Sequence, residues 1–310
     1  MTISLDAESP VYDLATSFSR SLKGQRRSPN TIEVYLRSIH DFDRYASANG
    51  IPRDPAKIKR THVEAYLEDQ LERNKPATAA TRYASLSRFF TWLVEEGEIL
   101  TSPMARMKPP QVPDRPPMVL TSAEIDAILA ASDGPTFRQR RDRALLSFMA
   151  DTGCRRTEVS KLKLTDVDAE RQVATVIGKG DKQREVVYST RTAVALDRYL
   201  RVRQKHSKAF SPMLWLGQFG PLSGEGIAEV VARRGTRAGV FREVDGQKRA
   251  LNPHLFRHAF ADRWLASGGN ETDLMTLGGW SSAEVMRRYG RGRRTERAID
   301  AARRHFGEPA

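Results

Sequence analysis

Tyr289 stands in the stretch LGGWSSAEVMRRYGRGRR, residues 277–294, with arginines on both sides. A tyrosine is ordinarily a half-buried packing residue. Its phenol becomes a nucleophile only where positive charge stabilises the phenolate, and Arg287 and Arg288 would supply such charge locally. Trp280, nine residues upstream, has an indole N–H that can donate one hydrogen bond while its rings pack. The stretch alone leaves packing and chemistry both open.

Arg155 lies in a second suggestive stretch, DTGCRRTEVSK, residues 151–161. Gly153 suits a tight bend at the start of a helix, and Glu158, three residues after Arg155, would lie on the same helical face. A carboxylate at that position would hold the guanidinium in a fixed pose. An ordinary surface ion pair is the alternative.

Two lysines lie at or near the tip of a predicted hairpin, in VIGKGDKQREVV, residues 176–187. Lys179 and Lys182 could each reach into a DNA groove or donate a proton to a leaving oxygen. Most lysines on turns are simply solvated, so this motif also leaves the two alternatives open.

Two histidines and an arginine fall in the first turns of a predicted helix, in NPHLFRHAFADRWL, residues 252–265. His254 and Arg257 are three residues apart and share a face, so both could bind one phosphate. An imidazole beside a fixed guanidinium suits phosphoryl transfer with acid–base assistance. A buried structural role is the alternative for His258, and a cap-like role is the alternative for His254.

Taken in order and at these intervals, the motifs resemble those of the tyrosine recombinases, also called the phage integrase family. TGCRRTE resembles the first arginine box, GKGDKQREV the lysine hairpin, HLFRH the His-x-x-Arg-His signature and LGGWSSAEVMRRYG the terminal box. The resemblance implies a set of catalytic residues: Arg155, Lys179, His254, Arg257, Trp280 and Tyr289. It implies supporting roles for Glu158 and His258, and it leaves Lys182 as the alternative lysine.

The chemistry that the resemblance implies is attack of Tyr289 on a DNA phosphodiester, giving a 3′-phosphotyrosyl link and a free 5′-hydroxyl. Arg155 and Arg257 would bind the non-bridging oxygens, where charge grows in the transition state. Lys179 would protonate the leaving 5′-oxygen, and His254 would assist proton transfer with the tyrosine. Covalent catalysis retains the phosphodiester energy, so neither a metal nor any other cofactor is expected.

The expected partners are double-stranded DNA recombination sites, on which four protomers would assemble in a synaptic complex, with accessory DNA-bending proteins as further candidates. Trp280 occupies a position where many relatives carry histidine, which favours integrase- or excisionase-type recombination of a phage or mobile element. A chromosome-dimer resolvase of the Xer kind is the alternative. A non-catalytic DNA-binding regulator would explain the basic charge but not the complete set of motifs.

The charge of the chain agrees with a polyanionic partner, since the 310 residues carry a net charge of +13. Residues 1–110 hold 16 Lys and Arg against 14 Asp and Glu, whereas the remainder holds 35 against 24. The single cysteine, Cys154, excludes an intrachain disulfide. Neither a signal peptide nor an apolar run of roughly 18–20 residues is recognisable, so we expect a cytoplasmic protein with no membrane partner.

The elements that must position these residues are mostly helices on either side of a stiff linker. Five prolines among residues 108–117 cannot continue a helix or pair as a central strand. We therefore predict an N-terminal helical core-binding domain over 1–108, a Pro-rich linker over 109–117 and a catalytic domain over 118–310. The predicted fold class is mainly α with a small antiparallel β-sheet (α+β).

Three local patterns support this assignment. Ser28 followed by Pro29 predicts the start of a helix, and the pairs Thr61–Glu64 and Thr121–Glu124 each predict a capping box. Residues 172–189 carry two β-branched runs around a Gly/Asp turn, which is typical of a hairpin.

Overall fold

The structure, a computed structural model, describes residues 10–113, 118–178, 180–244 and 246–280, together with residues 299, 302, 303 and 306. It divides into two compact units, Met1–Asp114 and Arg115–Ala310. The division falls inside the stretch predicted to be a linker. Lys179 and Tyr289 lie outside the described residues.

The N-terminal unit is helical over its described length. Its helices are α1 (Pro10–Gly24), α2 (Pro29–Ala48), α3 (Arg60–Arg73) and α4 (Pro76–Glu95). The predicted start of α2 is confirmed, because the Ser28 side chain accepts a hydrogen bond from the Thr31 N–H at 3.2 Å with Pro29 in the first turn. The core joins α1 to α4 through the rings of Phe18 and Phe89, and α2 to α3 through those of Phe42 and Tyr66.

The capping box predicted at Thr61–Glu64 is wrong. Helix α3 begins two residues earlier than this pattern predicts, at Arg60, and the N–H of its cap residue Lys59 donates to Nδ1 of His62 at 3.1 Å. Glu64 instead accepts from Nε of Arg60 at 2.7 Å, one helical turn away. Glu64 therefore forms an ion pair with Arg60 on the helix surface, and His62 supplies the acceptor that caps the helix.

Helix α1 was not predicted, although its pattern is readable in retrospect. Val11, Ala15, Phe18 and Leu22 are all buried and recur at helical spacing along one face. The remaining positions of α1 are mostly polar, so the apolar spacing is less evident in the sequence.

The C-terminal unit is built around a helix that is buried on nearly every side. Its helices are α5 (Ser122–Ala130), α6 (Phe137–Thr152), α7 (Arg156–Lys161), α8 (Thr190–Arg203), α9 (Gly224–Arg237), α10 (His254–Ala266) and α11 (Glu271–Gly278). Residues 144–150 of α6 are all buried, and α6 packs against both α8 and α10. The capping box at Thr121–Glu124 is confirmed, with the two reciprocal hydrogen bonds at 2.8 and 3.2 Å.

Two small antiparallel sheets complete the described part of this unit. The first has the order β1 (Val167–Asp168), β2 (Val173–Ile177) and β3 (Gln183–Val187), with Val173 opposite Val187. This is the predicted hairpin with one added strand. The second pairs β4 (Arg242–Val244) with β5 (Gln247–Arg249) and was not predicted, because its strands are charged and lack apolar alternation. The mainly helical α+β class is confirmed.

Candidate active site

A sharp bend between α6 and α7 places Arg155 at the start of α7. Gly153 ends α6 in the left-handed conformation, with φ of +58°, which a residue with a side chain rarely adopts. A Cβ at Gly153 would also lie 2.4 Å from Cδ1 of Phe260 on α10. Both constraints require glycine here, so the bend brings the Gly153 backbone close against α10.

Arg155 is held by Glu158, as the sequence spacing predicts. Nη1 of Arg155 donates to one carboxylate oxygen at 2.8 Å, and the Arg155 backbone N–H donates to the other at 2.9 Å. The Glu158 side chain is only 3% exposed, whereas that of Arg155 is 32% exposed. A buried carboxylate therefore fixes a guanidinium that still reaches solvent.

Glu158 has a second partner that the sequence did not identify, Arg184 on β3. Nη1 and Nη2 of Arg184 donate to the two carboxylate oxygens at 3.1 and 2.8 Å. Burial by itself would raise the pKa of Glu158, but the hydrogen bonds and charges of Arg184 and Arg155 outweigh burial and hold that pKa below its ordinary value. Glu158 is therefore an anion shared by two guanidinium groups.

Arg257 lies on α10 and is almost completely buried. Its Nη1 donates to the Gly153 carbonyl at 2.8 Å, and its guanidinium carbon lies 3.7 Å from the centroid of a Trp280 ring. This close approach is a cation–π contact, which is stronger where both groups are removed from water. Trp280 is 8% exposed and is buried together with Ala261, Leu265 and Leu274.

Three arginines converge on the C-terminal end of α11. The last carbonyls of a helix have no partner within the helix, so side-chain donors commonly bind them. Three successive carbonyls here accept from three different elements: Leu277 from Arg184 Nε at 2.7 Å, Gly278 from Arg257 Nη2 at 2.7 Å, and Gly279 from Arg155 Nη2 at 2.9 Å. The end of α11 thereby brings the guanidinium groups of Arg155 and Arg257 to adjacent positions.

The two histidines of α10 face the same cluster. His254 is exposed, but the protein around it displaces part of its water and lowers its pKa below the ordinary value, and the charges of Arg257, Arg156 and Arg155 lower that pKa further. Burial, then His254 and Arg257, lower the pKa of His258 to about 4. Their ring centroids are 6.4 Å apart. Both imidazoles are therefore neutral near pH 7, and a neutral imidazole can accept a proton.

The lysine hairpin packs against this cluster through Gly178. A Cβ at Gly178 would lie 3.4 Å from both Oε1 of Glu158 and Nη1 of Arg184. The Gly178 N–H donates to the Lys182 carbonyl at 2.8 Å, which closes the turn. Gly178, the residue before Lys179, is therefore placed beside Glu158, although Lys179 itself lies outside the described residues. Lys182 is an exposed residue of the same turn.

Tyr289 likewise lies outside the described residues, and the described chain before it ends at Trp280, in the cluster itself. Of the predicted residues that are described, all except the exposed Lys182 are brought together: Arg155, Glu158, His254, Arg257, His258 and Trp280. Clustered guanidinium groups with neutral imidazoles suit an oxyanion whose charge grows during reaction, such as a phosphodiester under attack. Within the described part of the chain, neither a His/Cys/Asp/Glu group suited to a metal ion nor a helix able to cross a bilayer is found.

Comparisons with known proteins agree with this arrangement along most of the chain. The model of the phage integrase family matches residues 118–295, and that of the phage integrase N-terminal SAM-like domain matches residues 15–97. Tyrosine recombinase XerC of Myxococcus xanthus is 30% identical over 289 residues, which cover 91% of this chain and 92% of the relative.

Solved structures share the fold at lower sequence identity. The XerH site-specific recombinase bound to a palindromic difH substrate, a post-cleavage complex, has a TM-score of 0.73 at 18% identity, covering 99% of this chain and 92% of that one. A lambda integrase tetramer bound to a Holliday junction has a TM-score of 0.67 at 18% identity, covering 88% and 77%. The chain belongs to the phage integrase family, the tyrosine recombinases, enzymes that cleave and rejoin DNA through a tyrosine-linked intermediate.

Proposed function

We propose that this enzyme is a site-specific recombinase that resolves chromosome dimers, the function that was the alternative from sequence. The relatives support this assignment by their names, XerC for a protein 30% identical and XerH for a structure of the same fold. The preference for a phage or mobile-element integrase rested on Trp280. In the structure the Trp280 ring packs under Arg257 at 3.7 Å, a packing role that does not distinguish the subgroups.

The observation that carries the catalytic proposal is the adjacency of Arg155 and Arg257. Their guanidinium groups bind neighbouring carbonyls, those of Gly279 and Gly278, at the end of α11. Two guanidinium groups held side by side can bind the two non-bridging oxygens of one phosphodiester and stabilise the charge that develops there. Glu158 supports this arrangement by fixing Arg155.

Proton transfers complete the proposed reaction. Tyr289 attacks the phosphorus atom through its phenol oxygen, and His254, neutral because of its lowered pKa, accepts the phenol proton. The bond from phosphorus to the 5′-oxygen breaks, and Lys179 protonates that oxygen, with Lys182 as the alternative. Trp280 supports Arg257, and His258 packs beside His254. The phosphotyrosine bond retains the energy of the phosphodiester, so no other reactant enters this step.

Both units would contact DNA, the N-terminal unit as a core-binding domain and the C-terminal unit as the catalytic domain, joined by residues 109–117. The excess of basic residues after residue 110 supports phosphate contacts by the C-terminal unit, which would make binding salt-dependent. The lambda integrase tetramer on a Holliday junction supports assembly of four protomers on two DNA sites. An enzyme acting on chromosomal DNA would work in the cytoplasm, with accessory DNA-bending proteins as candidate partners.

Covalent capture tests both the chemistry and the host function. The purified protein is mixed with sheared genomic DNA of its own host, denatured in detergent, and the fragments that remain attached to protein are sequenced. We expect wild-type protein to recover one chromosomal site, and Tyr289→Phe to recover none while binding that site with nearly unchanged affinity.

Two results would contradict the proposal. Covalent recovery of DNA by the Tyr289→Phe variant would exclude Tyr289 as the nucleophile. Recovery of the two ends of a phage or other mobile element, in place of a solitary chromosomal locus, would favour the integrase function over dimer resolution.

A further inference from the structure

Arg184 connects three elements of the candidate active site without being one of the predicted catalytic residues. It is the second residue of β3, opposite Val176 in the hairpin, and its side chain is only 12% exposed. Burying a guanidinium is costly unless each of its donors is paired. The partners of Arg184 therefore indicate what the residue does.

Its donors are bound to two separate parts of the site. Nη1 and Nη2 hold both oxygens of Glu158, as described above, and Nη2 lies 3.9 Å from Sγ of Cys154. Nε donates to the Leu277 carbonyl at 2.7 Å. One planar group thus links the β2–β3 hairpin to the start of α7 and to the end of α11.

Two glycines lie beside this guanidinium, Gly279 more closely than Gly178. A Cβ at Gly279 would lie 3.0 Å from Nη1 of Arg184, and one at Gly178 would lie 3.4 Å from the same atom. Gly178 comes immediately before Lys179, and its N–H closes the turn to Lys182. Gly178 therefore lies against the Arg184–Glu158 pair, the same pair that fixes Arg155.

We propose that Arg184 is a positioning residue that fixes the β2–β3 hairpin relative to the Arg155–Arg257 pair, so that Lys179 can protonate the leaving 5′-oxygen. This inference rests on the proposed reaction. A positioning role fits Arg184 because both of its Nη atoms hold the Glu158 carboxylate and its Nε holds the Leu277 carbonyl. Lysine would not replace it, since a single ammonium cannot reproduce the planar fork that binds the carboxylate and the carbonyl together.

A substrate with sulfur in place of the bridging 5′-oxygen separates positioning of the lysine from general damage to the site. With the natural substrate, the electron pair of the broken bond remains on oxygen, which needs a proton. With the sulfur substrate it remains on sulfur as a thiolate, which is stable near neutral pH because thiols have a pKa near 8.5. Cleavage of the sulfur substrate therefore does not depend on a proton donor.

Single-turnover cleavage of both substrates, made on the captured site, is measured for wild type, Lys179→Ala, Lys182→Ala and Arg184→Lys. We expect Arg184→Lys to cleave the oxygen substrate roughly 10- to 100-fold more slowly than wild type. On the sulfur substrate it should come within about threefold of wild type. The matched control is Arg171→Lys, which alters the exposed pair with Glu185 across the same hairpin and should leave both rates unchanged. The ratio of the two rates does not depend on the fraction of folded enzyme, so partial unfolding cannot imitate this result.

Equal slowing of Arg184→Lys on both substrates, or no slowing on either, would overturn the inference. Failure of the proposed reaction gives a different pattern, in which wild type forms no covalent product or neither lysine variant is rescued by sulfur. If Arg184→Lys does not fold, Arg184→Gln is measured in its place, since glutamine keeps a planar donor group but loses the guanidinium fork, and the same rescue by sulfur is expected of it.

Discussion

Replacing Glu158 by glutamine should destabilise the C-terminal unit far more than a single surface charge would. Glutamine keeps the shape of the side chain but removes the negative charge that lies between Arg155 and Arg184. Removing one partner of a buried ion pair typically costs about 3–5 kcal/mol, because the other charge is left buried and unpaired. Arg184, 12% exposed, is that other charge, whereas the more exposed Arg155 contributes little.

The matched control is Glu185→Gln on the same hairpin. Glu185 pairs with Arg171 at 3.3 Å, but the two side chains are 55% and 63% exposed, so its loss should cost no more than about 0.5 kcal/mol. Each kcal/mol shifts the Tm of a domain of this size by roughly 2–4 °C. Calorimetry of the full chain should therefore show a drop of roughly 6–20 °C for Glu158→Gln in the C-terminal transition, and less than about 2 °C for the control.

The pH dependence provides a second check on the same substitution. The folded-state pKa of Glu158 lies below its ordinary value, so its stabilisation is present above the unfolded pKa and is lost as pH falls through the folded pKa. The gap in Tm between wild type and Glu158→Gln should therefore narrow as the solution is acidified below about pH 4. A small gap at neutral pH, or equal shifts for the two variants, would refute the view that a buried carboxylate organises this site.

Two further outcomes are expected. Arg257→Ala should slow covalent cleavage by about 10²- to 10³-fold while DNA binding is nearly unchanged, because it removes one donor to the developing charge. Cleavage at the wild-type rate would mean that Arg155 and Arg257 are wrongly assigned as the phosphate-binding pair. Because the pKa of His258 is about 4 in the folded chain against 6.5 ordinarily, the unfolded chain takes up the proton first as pH falls. The free energy of unfolding should therefore fall by about 2 kcal/mol between pH 7 and pH 5. Denaturant titration should find this fall largely absent in His258→Gln, and the same pH dependence of stability in both proteins would contradict the prediction.

The parts of this site that lie close together in the sequence could be predicted, because spacing within a few residues determines their contacts. Gly153, Arg155 and Glu158 lie within six residues, so helical spacing alone predicts the ion pair that the structure contains at 2.8 Å. The β2–β3 hairpin was predictable for the same reason, from two β-branched runs on either side of a Gly/Asp turn.

The parts that were missed depend on contacts between distant segments. Arg184 was one charged residue among several in a strand, and nothing near it predicts a contact with Leu277, 93 residues later. The hairpin β4–β5 lacks an apolar face, so only the Asp-Gly pair in the sequence at residues 245–246 could have indicated it. Roles for Lys179 and Tyr289 stay predictions from the family resemblance, since both residues lie outside the described chain.

The carbonyls at the end of α11 have a consequence for which mutations this stretch would tolerate. A side-chain substitution at Leu277 leaves its carbonyl in place, so a substitution scan would rate that position as permissive. Gly278 and Gly279 would fail for steric reasons, because a Cβ would lie 1.7 Å from Cζ3 of Trp280 in one case and the backbone has a φ of +63° in the other. Inserting one residue before Leu277 would rotate all three carbonyls by about 100° and separate them from the three arginines at once. The length of α11, more than the identity of its last side chains, is what holds the arginines in register.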